Sequence, residues 1–121
     1  MRMRNEGHGK YWITPDLLSL DRAVQHVSDG AYGAVATFSG TVRTPSEGKI
    51  VLRIDYEAYP EMAEEQLAAI GADCVSRFGP LKVAIGHRTG TLNVGETSVV
   101  VAVGSVHRGE ALEACRFAIE E

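Results

Sequence analysis

The chain has 121 residues, which is the size of one domain with a buried core. Its hydrophobic fraction of 45% and its charged fraction of 23% are ordinary for a soluble globular protein. The formal net charge of −4 argues against non-specific nucleic-acid binding but leaves room for a local cluster of arginines that binds an anionic ligand. No apolar run reaches the roughly 20 residues that span a bilayer, and the polar N-terminus lacks the apolar stretch of a secretory signal. No membrane association is therefore expected.

The first part of the chain predicts two strands around a short helix. Residues 11–14 are typical of a short strand. Residues 20–27 carry apolar side chains at helical spacing, and Ser19 is placed to cap that helix. Residues 34–42 are apolar, as in a buried strand, and Gly40 indicates a bulge or a close backbone approach within it.

The middle of the chain predicts a polar loop, a strand and a long helix. Residues 43–49 are polar and contain Pro and Gly, as in a mobile loop. Residues 50–59 alternate between apolar and polar side chains, which indicates a half-buried antiparallel strand. Residues 60–78 have helical periodicity up to the Gly-Pro pair that follows them. The predicted buried stripe of this helix is Ala63, Leu67, Ile70, Cys74 and Phe78.

The last part predicts two strands and a final helix. The strand patterns cover residues 82–89 and 97–106, with a turn region at 90–96 between them. The helix starts after His107, and its predicted apolar side is Ala111, Leu112, Cys115 and Ile119. The order β-α-β-β-α-β-β-α indicates an α+β fold with a mostly antiparallel sheet. Because the last helix reaches Glu121 without a stop signal, the natural protein is expected to continue.

The cysteines and histidines lack the spacing of a metal site or a redox motif. Cys74 and Cys115 fall in separate predicted helices, which predicts reduced core thiols in a cytoplasmic protein. No histidine has a second ligand at helical i, i+4 spacing, so no metal and no resident cofactor is expected. His87 is in phase with apolar neighbours on its strand, which favours a hydrogen-bonded structural role.

Two basic segments each follow directly after an apolar strand. In the first, Thr41 and Val42 precede Arg43, an arginine that can hold an anion by a bidentate contact or lie solvated on the surface. In the second, His107 and Arg108 precede the last helix. A cation is disfavoured at a helix N-terminus unless an anion joins it, which hints at a ligand. The alternative is a capping segment with the arginine turned to solvent.

The same segments resemble the MoaE family, the large subunit of molybdopterin synthase, in order and spacing from Gly33 onward. The matching stretches are Gly33-Ala34-Val35 through Val42-Arg43, Tyr56-Glu57-Ala58-Tyr59-Pro60-Glu61-Met62-Ala63, His87-Arg88-Thr89-Gly90 through Val94-Gly95-Glu96, and Val101-Ala102-Val103 through Ser105-Val106-His107-Arg108, followed by Ala111, Glu113 and Ala114. The resemblance implies one α/β-hammerhead-type domain over residues 1–121.

The resemblance also implies partners and a reaction. The large subunit forms a homodimer, and each copy binds a small MoaD-type ubiquitin-fold subunit, which gives a heterotetramer. The small subunit's C-terminal Gly-Gly carries a thiocarboxylate. Its tail enters the large subunit and donates sulfur to cyclic pyranopterin monophosphate. Two such transfers build the dithiolene of molybdopterin, so the implied activity is that of a sulfurtransferase in molybdenum cofactor biosynthesis.

The family's binding positions correspond to Thr41, Val42, Arg43, His107 and Arg108, and the His-Arg pair comes from the other large subunit. The family's two essential lysines lie beyond the position of Glu121, and Lys10, Lys49 and Lys82 do not match them. The resemblance therefore implies no catalytic residue within the given chain. A non-catalytic module that binds a ubiquitin-like partner or a pterin phosphate, and an unrelated anion-binding α+β dimer, stay open as alternatives.

Overall fold

The computed structural model describes residues 2–44, 53–56 and 59–121. The elements in this part of the chain are β1 (Arg2–Glu6), β2 (Gly9–Thr14), α1 (Leu20–Val27), β3 (Ala34–Thr41), β4 (Arg53–Tyr56), α2 (Pro60–Phe78), β5 (Leu81–Arg88), β6 (Gly90–Asn93), β7 (Thr97–Ser105) and α3 (Arg108–Glu120). The predicted loop at 43–49 and the predicted strand at 50–59 lie largely outside the described residues.

Five strands form the main sheet in the order β1-β2-β5-β7-β3, and β4 and β6 form a separate antiparallel pair. In the main sheet β2 and β5 are parallel, whereas the pairs β1/β2, β5/β7 and β7/β3 are antiparallel. The predicted α+β fold with a mostly antiparallel sheet is confirmed. The bulge predicted at Gly40 is also confirmed, because the β3/β7 register shifts between Gly40 and Thr41.

Two strands were not predicted from the sequence. β1 lies in a charged N-terminal segment that has no apolar alternation, and it pairs with β2 through a tight turn at residues 7–8. β6 lies in the predicted turn region at 90–96 and pairs with β4, more than thirty positions earlier in the chain. Both strands are defined by their pairing with another strand, and neither has the local sequence pattern typical of a strand.

The sheet separates two apolar cores. On one face Tyr11, Val83 and Val103 pack beneath α2 and α3. On the other face Trp12 and Ala102 pack against α1. Alternation along each strand sends successive side chains to opposite faces, so every central strand contributes to both cores.

The two long helices bury their small side chains. In α2, Ala68 is buried and Gly71 lies against the Tyr11 ring, while the predicted stripe residues Leu67 and Ile70 are only partly buried. In α3 the buried residues are Ala111, Ala114, Cys115 and Ala118. The prediction that Leu112 and Ile119 face the core is wrong, because they are 60% and 41% exposed.

Gly71 is required by the close approach of α2 to Tyr11. A Cβ at this position would lie 1.7 Å from Tyr11 Oη, and that hydroxyl is already held 2.5 Å from His8 Nδ1. We expect Gly71→Ala to lower the free energy of unfolding by about 2 kcal/mol, since overpacking outweighs the gain in helix propensity. Urea unfolding measures this change. Gly30→Ala, where nothing lies within 4 Å, is the control and should change stability by less than about 0.5 kcal/mol.

Both cysteines are free and buried, as predicted for core residues. Burial raises the pKa of each thiol to about 11, so both are protonated at neutral pH and poor nucleophiles. Within the described residues no helix is long and apolar enough to cross a membrane.

Candidate functional site

The first basic segment is held by the turn before β7. The Val42 backbone N–H donates to the Glu96 carbonyl at 2.9 Å, and the Gly95 N–H donates to the Val42 carbonyl at 2.7 Å. The Val42 side chain is 3% exposed, whereas Thr41 and Arg43 on either side of it are exposed. The two backbone bonds therefore anchor this strand end and leave the flanking side chains accessible to a ligand.

Arg88 and Glu96 form an ion pair next to these two backbone hydrogen bonds. Arg88 Nη1 lies 2.6 Å from Glu96 Oε2, and its Nε donates to the Pro15 carbonyl at 3.1 Å. Glu96 Oε1 accepts from the Asn93 N–H at 2.8 Å. The Arg88 contact, followed by the Asn93 bond, holds the pKa of Glu96 below its ordinary value. No functional role was predicted for Arg88 or Glu96, although both lie in the stretches that resemble the MoaE family.

We expect the contribution of Glu96 to stability to depend on pH. Because its folded pKa is depressed, this contribution is complete above the unfolded value of 4.5 and is lost as pH falls through the folded pKa. The difference in unfolding free energy between wild type and Glu96→Gln should therefore shrink between pH 7 and about pH 3. Urea unfolding at both pH values measures it. A difference that stays constant would contradict the depressed pKa.

The second basic segment forms the start of α3. His107 is the N-cap residue, without a side-chain capping bond, and Arg108 is the first residue of the helix. The His107 carbonyl accepts the Ala111 N–H at 3.2 Å. Both side chains are exposed. A histidine and an arginine thus stand at the positive end of the helix dipole, where an anion would offset their repulsion with the helix.

One chain does not bring the two basic segments together. The β3/β7 register pairs Thr41 with Thr97 and Ala34 with Ser105. Arg43 follows the first of these pairs, and His107 follows the second. Seven residues of strand separate them, which is about 24 Å at roughly 3.4 Å per residue. The two predicted halves of the site therefore lie at opposite ends of β3.

His87 lies near the first half of the site. Its Nδ1 is 2.9 Å from the Arg88 carbonyl oxygen, which confirms the predicted hydrogen-bonded role. Its ring lines an apolar cavity of about 580 Å³ with Phe38, Ile70 and Val99, between α2, the sheet and the end of α3. In residues 2–44, 53–56 and 59–121, no group of three side chains is placed to hold a metal ion.

Comparison with known proteins gives consistent matches. The MoaE protein family matches residues 13–121. The molybdopterin synthase catalytic subunit of Oryza sativa subsp. indica is 44% identical over 117 residues, 97% of this chain and 57% of that protein. The subunit of the same name from Bacillus subtilis (strain 168) is 41% identical over 92% of this chain and 71% of that protein. The crystal structure of molybdopterin synthase from Staphylococcus aureus aligns with a TM-score of 0.86 and 33% identity, over 90% of this chain and 80% of that chain.

The described residues form a small α+β protein whose two basic segments lie at opposite ends of β3. The chain belongs to the MoaE family. This membership excludes an unrelated anion-binding dimer, which the sequence had left open. The chain spans little more than half the length of its rice relative.

Proposed function

We propose that this chain acts as the large, catalytic subunit of a molybdopterin synthase. In this role it receives sulfur from the thiocarboxylated C-terminus of a small ubiquitin-like MoaD-type subunit and delivers it to cyclic pyranopterin monophosphate. Its rice and Bacillus relatives carry the name molybdopterin synthase catalytic subunit, which supports this role. The two buried, free thiols favour a cytoplasmic location.

The observation that carries this proposal is the chemistry of the two basic segments. Cyclic pyranopterin monophosphate is an anion with a planar ring system, and guanidinium groups bind phosphate through paired hydrogen bonds. Arg43 at an anchored strand end and Arg108 at a helix N-terminus are suited to that group. Thr41, Val42 and His107 complete the set of proposed binding residues.

The separation of the segments supports a homodimer. About 24 Å of strand keeps Arg43 of one copy from sharing a ligand with Arg108 of the same copy. A site built from Arg43 of one copy and His107 and Arg108 of another removes this obstacle. We therefore assign one shared site to each copy in a dimer, with one small subunit bound to each large subunit in a heterotetramer.

A second candidate function is binding without catalysis. The proposed site residues are a threonine, a valine, a histidine and two arginines, which bind and orient an anion but include no lysine nucleophile. Residues 1–121 would then form a MoaE-like module that binds the pterin phosphate or the ubiquitin-like partner. Both candidate functions include ligand binding, but only the first includes catalysis. A measurement of molybdopterin formation therefore distinguishes them.

Calorimetric titration of cyclic pyranopterin monophosphate into the chain tests the proposal. At low salt, where screening is weak, we expect saturable binding with one ligand for each copy of the chain. Inorganic phosphate should compete only weakly, because it lacks the ring system. An absence of saturable binding, with the chain folded and dimeric, would overturn the proposed function.

A further inference from the structure

The chain contains two His-Arg pairs near the ends of apolar strands, and their arginines differ in environment. Arg108 begins α3 after β7 and is exposed. Arg88 is the last residue of β5, and its side chain is only 13% exposed. Its Nη1 lies 2.6 Å from Glu96 Oε2, and its Nε donates to the Pro15 carbonyl at 3.1 Å. Two guanidinium nitrogens of Arg88 are therefore occupied within the fold, which disfavours a direct role in binding an anion.

Glu96, the partner of Arg88, closes the tight turn that connects β6 to β7. Its Oε1 accepts the Asn93 N–H at 2.8 Å, and its own N–H donates to the Asn93 carbonyl at 3.1 Å. Between these two residues Gly95 has a φ of 92°, in the left-handed region that favours glycine. The Glu96 carboxylate thus joins the turn at 93–96 to Arg88, and Arg88 attaches that turn to the end of β5.

The same turn sets the position of the Arg43 backbone. The Glu96 carbonyl accepts the Val42 N–H at 2.9 Å, and the Gly95 N–H donates to the Val42 carbonyl at 2.7 Å. The Val42 carbonyl belongs to the peptide unit that continues into Arg43, and a peptide unit is planar. A hydrogen bond to that carbonyl therefore fixes the plane that contains the nitrogen and Cα of Arg43. The direction in which the Arg43 side chain leaves the backbone depends on this plane.

A β-bulge immediately precedes this strand end. The β3/β7 register passes from Gly40 opposite Val99 to Thr41 opposite Thr97, which skips Ser98. Ser98 is 8% exposed, and its Oγ donates to the Gly40 carbonyl at 3.3 Å. Bulges bend a strand and re-aim the side chains beside them, and they are common next to active sites. Because the regular ladder with β7 ends here, the course of the chain beyond Thr41 needs a further fixed point.

We propose that Arg88 is a positioning residue for Arg43 and acts through Glu96 and the turn at 93–96. This inference rests on the proposed function, in which Arg43 binds the phosphate of the pterin substrate. The ion pair supplies the fixed point that the ladder lacks after the bulge. A strand end that is already fixed loses less conformational freedom when Arg43 engages the ligand, so the affinity is higher. Arg88 itself does not contact the ligand.

Calorimetry with cyclic pyranopterin monophosphate tests the coupling of the two arginines. Arg88→Gln should raise the Kd about tenfold in the wild-type chain but less than about twofold in an Arg43→Ala chain, because Arg88 acts only through Arg43. Arg4→Gln is the matched control, since Arg4 and Glu6 on the edge strand β1 form an Arg–Glu ion pair of the same length, 2.6 Å. This control removes the same charge and should leave the Kd within about twofold.

Amide hydrogen exchange of the chain without ligand tests the positioning directly. Arg88→Gln should speed the exchange of the Val42 and Gly95 amides about tenfold relative to the amides of the central strand β7. A general loss of stability would instead speed both groups of amides alike. Glu96→Gln, which keeps the shape of the side chain and removes its charge, should act in the same direction. Arg4→Gln should leave the Val42 and Gly95 amides at the wild-type rate.

Two results would overturn the positioning role. Unchanged relative exchange of the Val42 amide in Arg88→Gln and Glu96→Gln would show that the ion pair does not hold the strand end. A loss of affinity from Arg88→Gln that persists in full in the Arg43→Ala chain would show that Arg88 acts on the ligand by another route. A wild-type chain that does not bind the pterin phosphate would instead remove the proposed function. The exchange rates need no ligand, so they still decide whether Arg88 fixes the strand end.

Discussion

Arg108→Ala is expected to weaken the binding of cyclic pyranopterin monophosphate by about 30- to 150-fold. Removing a charge-assisted hydrogen bond to phosphate costs about 2–3 kcal/mol, which corresponds to this change in Kd. The side chain is exposed in the isolated chain, so the unfolding free energy should change by less than about 0.5 kcal/mol. Calorimetry at low salt measures the first quantity and urea unfolding the second.

Arg22→Ala is the matched control for that variant. Arg22 is also an exposed arginine in the first turn of a helix, but α1 lies on the other face of the sheet. Its removal alters the net charge by the same amount and should leave the Kd within about twofold, because long-range charge effects are screened in solution. Equal binding by wild type and Arg108→Ala would remove Arg108 from the site.

Residues 1–121 alone are expected to bind substrate but to form molybdopterin at least about 100-fold more slowly than a longer chain. The resemblance to the MoaE family places its essential lysines beyond Glu121, and a positioned acid, base or nucleophile contributes at least that factor. The measurement combines the chain with thiocarboxylated MoaD-type partner and cyclic pyranopterin monophosphate and follows dithiolene formation.

The comparison for this second prediction is a chimera in which the family's lysine-bearing segment follows Glu121. It should restore turnover, and replacing its lysines with alanine should remove turnover again. Comparable turnover by residues 1–121 and by the chimera would show that the chemistry resides in the proposed binding groups. His107 would then be the first residue to substitute.

Local periodicity was sufficient to predict the helices. The apolar spacing over residues 20–27 matches α1, and Ser19 caps it by accepting a hydrogen bond from the Arg22 N–H at 3.2 Å. The pattern over residues 60–78 matches α2. Helical periodicity and capping are encoded within a few neighbouring residues, so the positions of these helices could be predicted from local sequence.

The packing of the helices could not be predicted in the same way. Gly71 lies at a close contact with Tyr11, and Ala114 and Ala118 are buried, although small side chains give a weak hydrophobic signal. In α3 two large apolar side chains, Leu112 and Ile119, are exposed, while Phe117 is partly buried against the core. A periodicity argument assigns large apolar residues to the core and does not anticipate those that stay exposed.

The residues of the candidate site were predicted, and the resemblance implied that two copies contribute them, but their positions within one chain were not predicted. Arg43 and the pair His107 and Arg108 were identified because each follows an apolar strand, whereas Thr41 and Val42 came from the resemblance to the MoaE family. Their separation along β3 depends on the antiparallel register, which pairs Thr41 with Thr97. The support from Arg88 and Glu96 depends on a tertiary ion pair of 2.6 Å. Neither property is visible in sequence spacing.

The most direct measurement of the central claim, a site shared by two copies, is a mixing experiment. Arg43→Ala and Arg108→Ala chains are each expected to bind cyclic pyranopterin monophosphate poorly. After mixing and subunit exchange, random pairing makes about half of the dimers mixed, and each mixed dimer contains one site with both arginines. About a quarter of all sites should then bind with wild-type affinity in a calorimetric titration. If exchange is verified by mass and no such sites appear, both arginines act within one chain or not at all, and the shared site is contradicted.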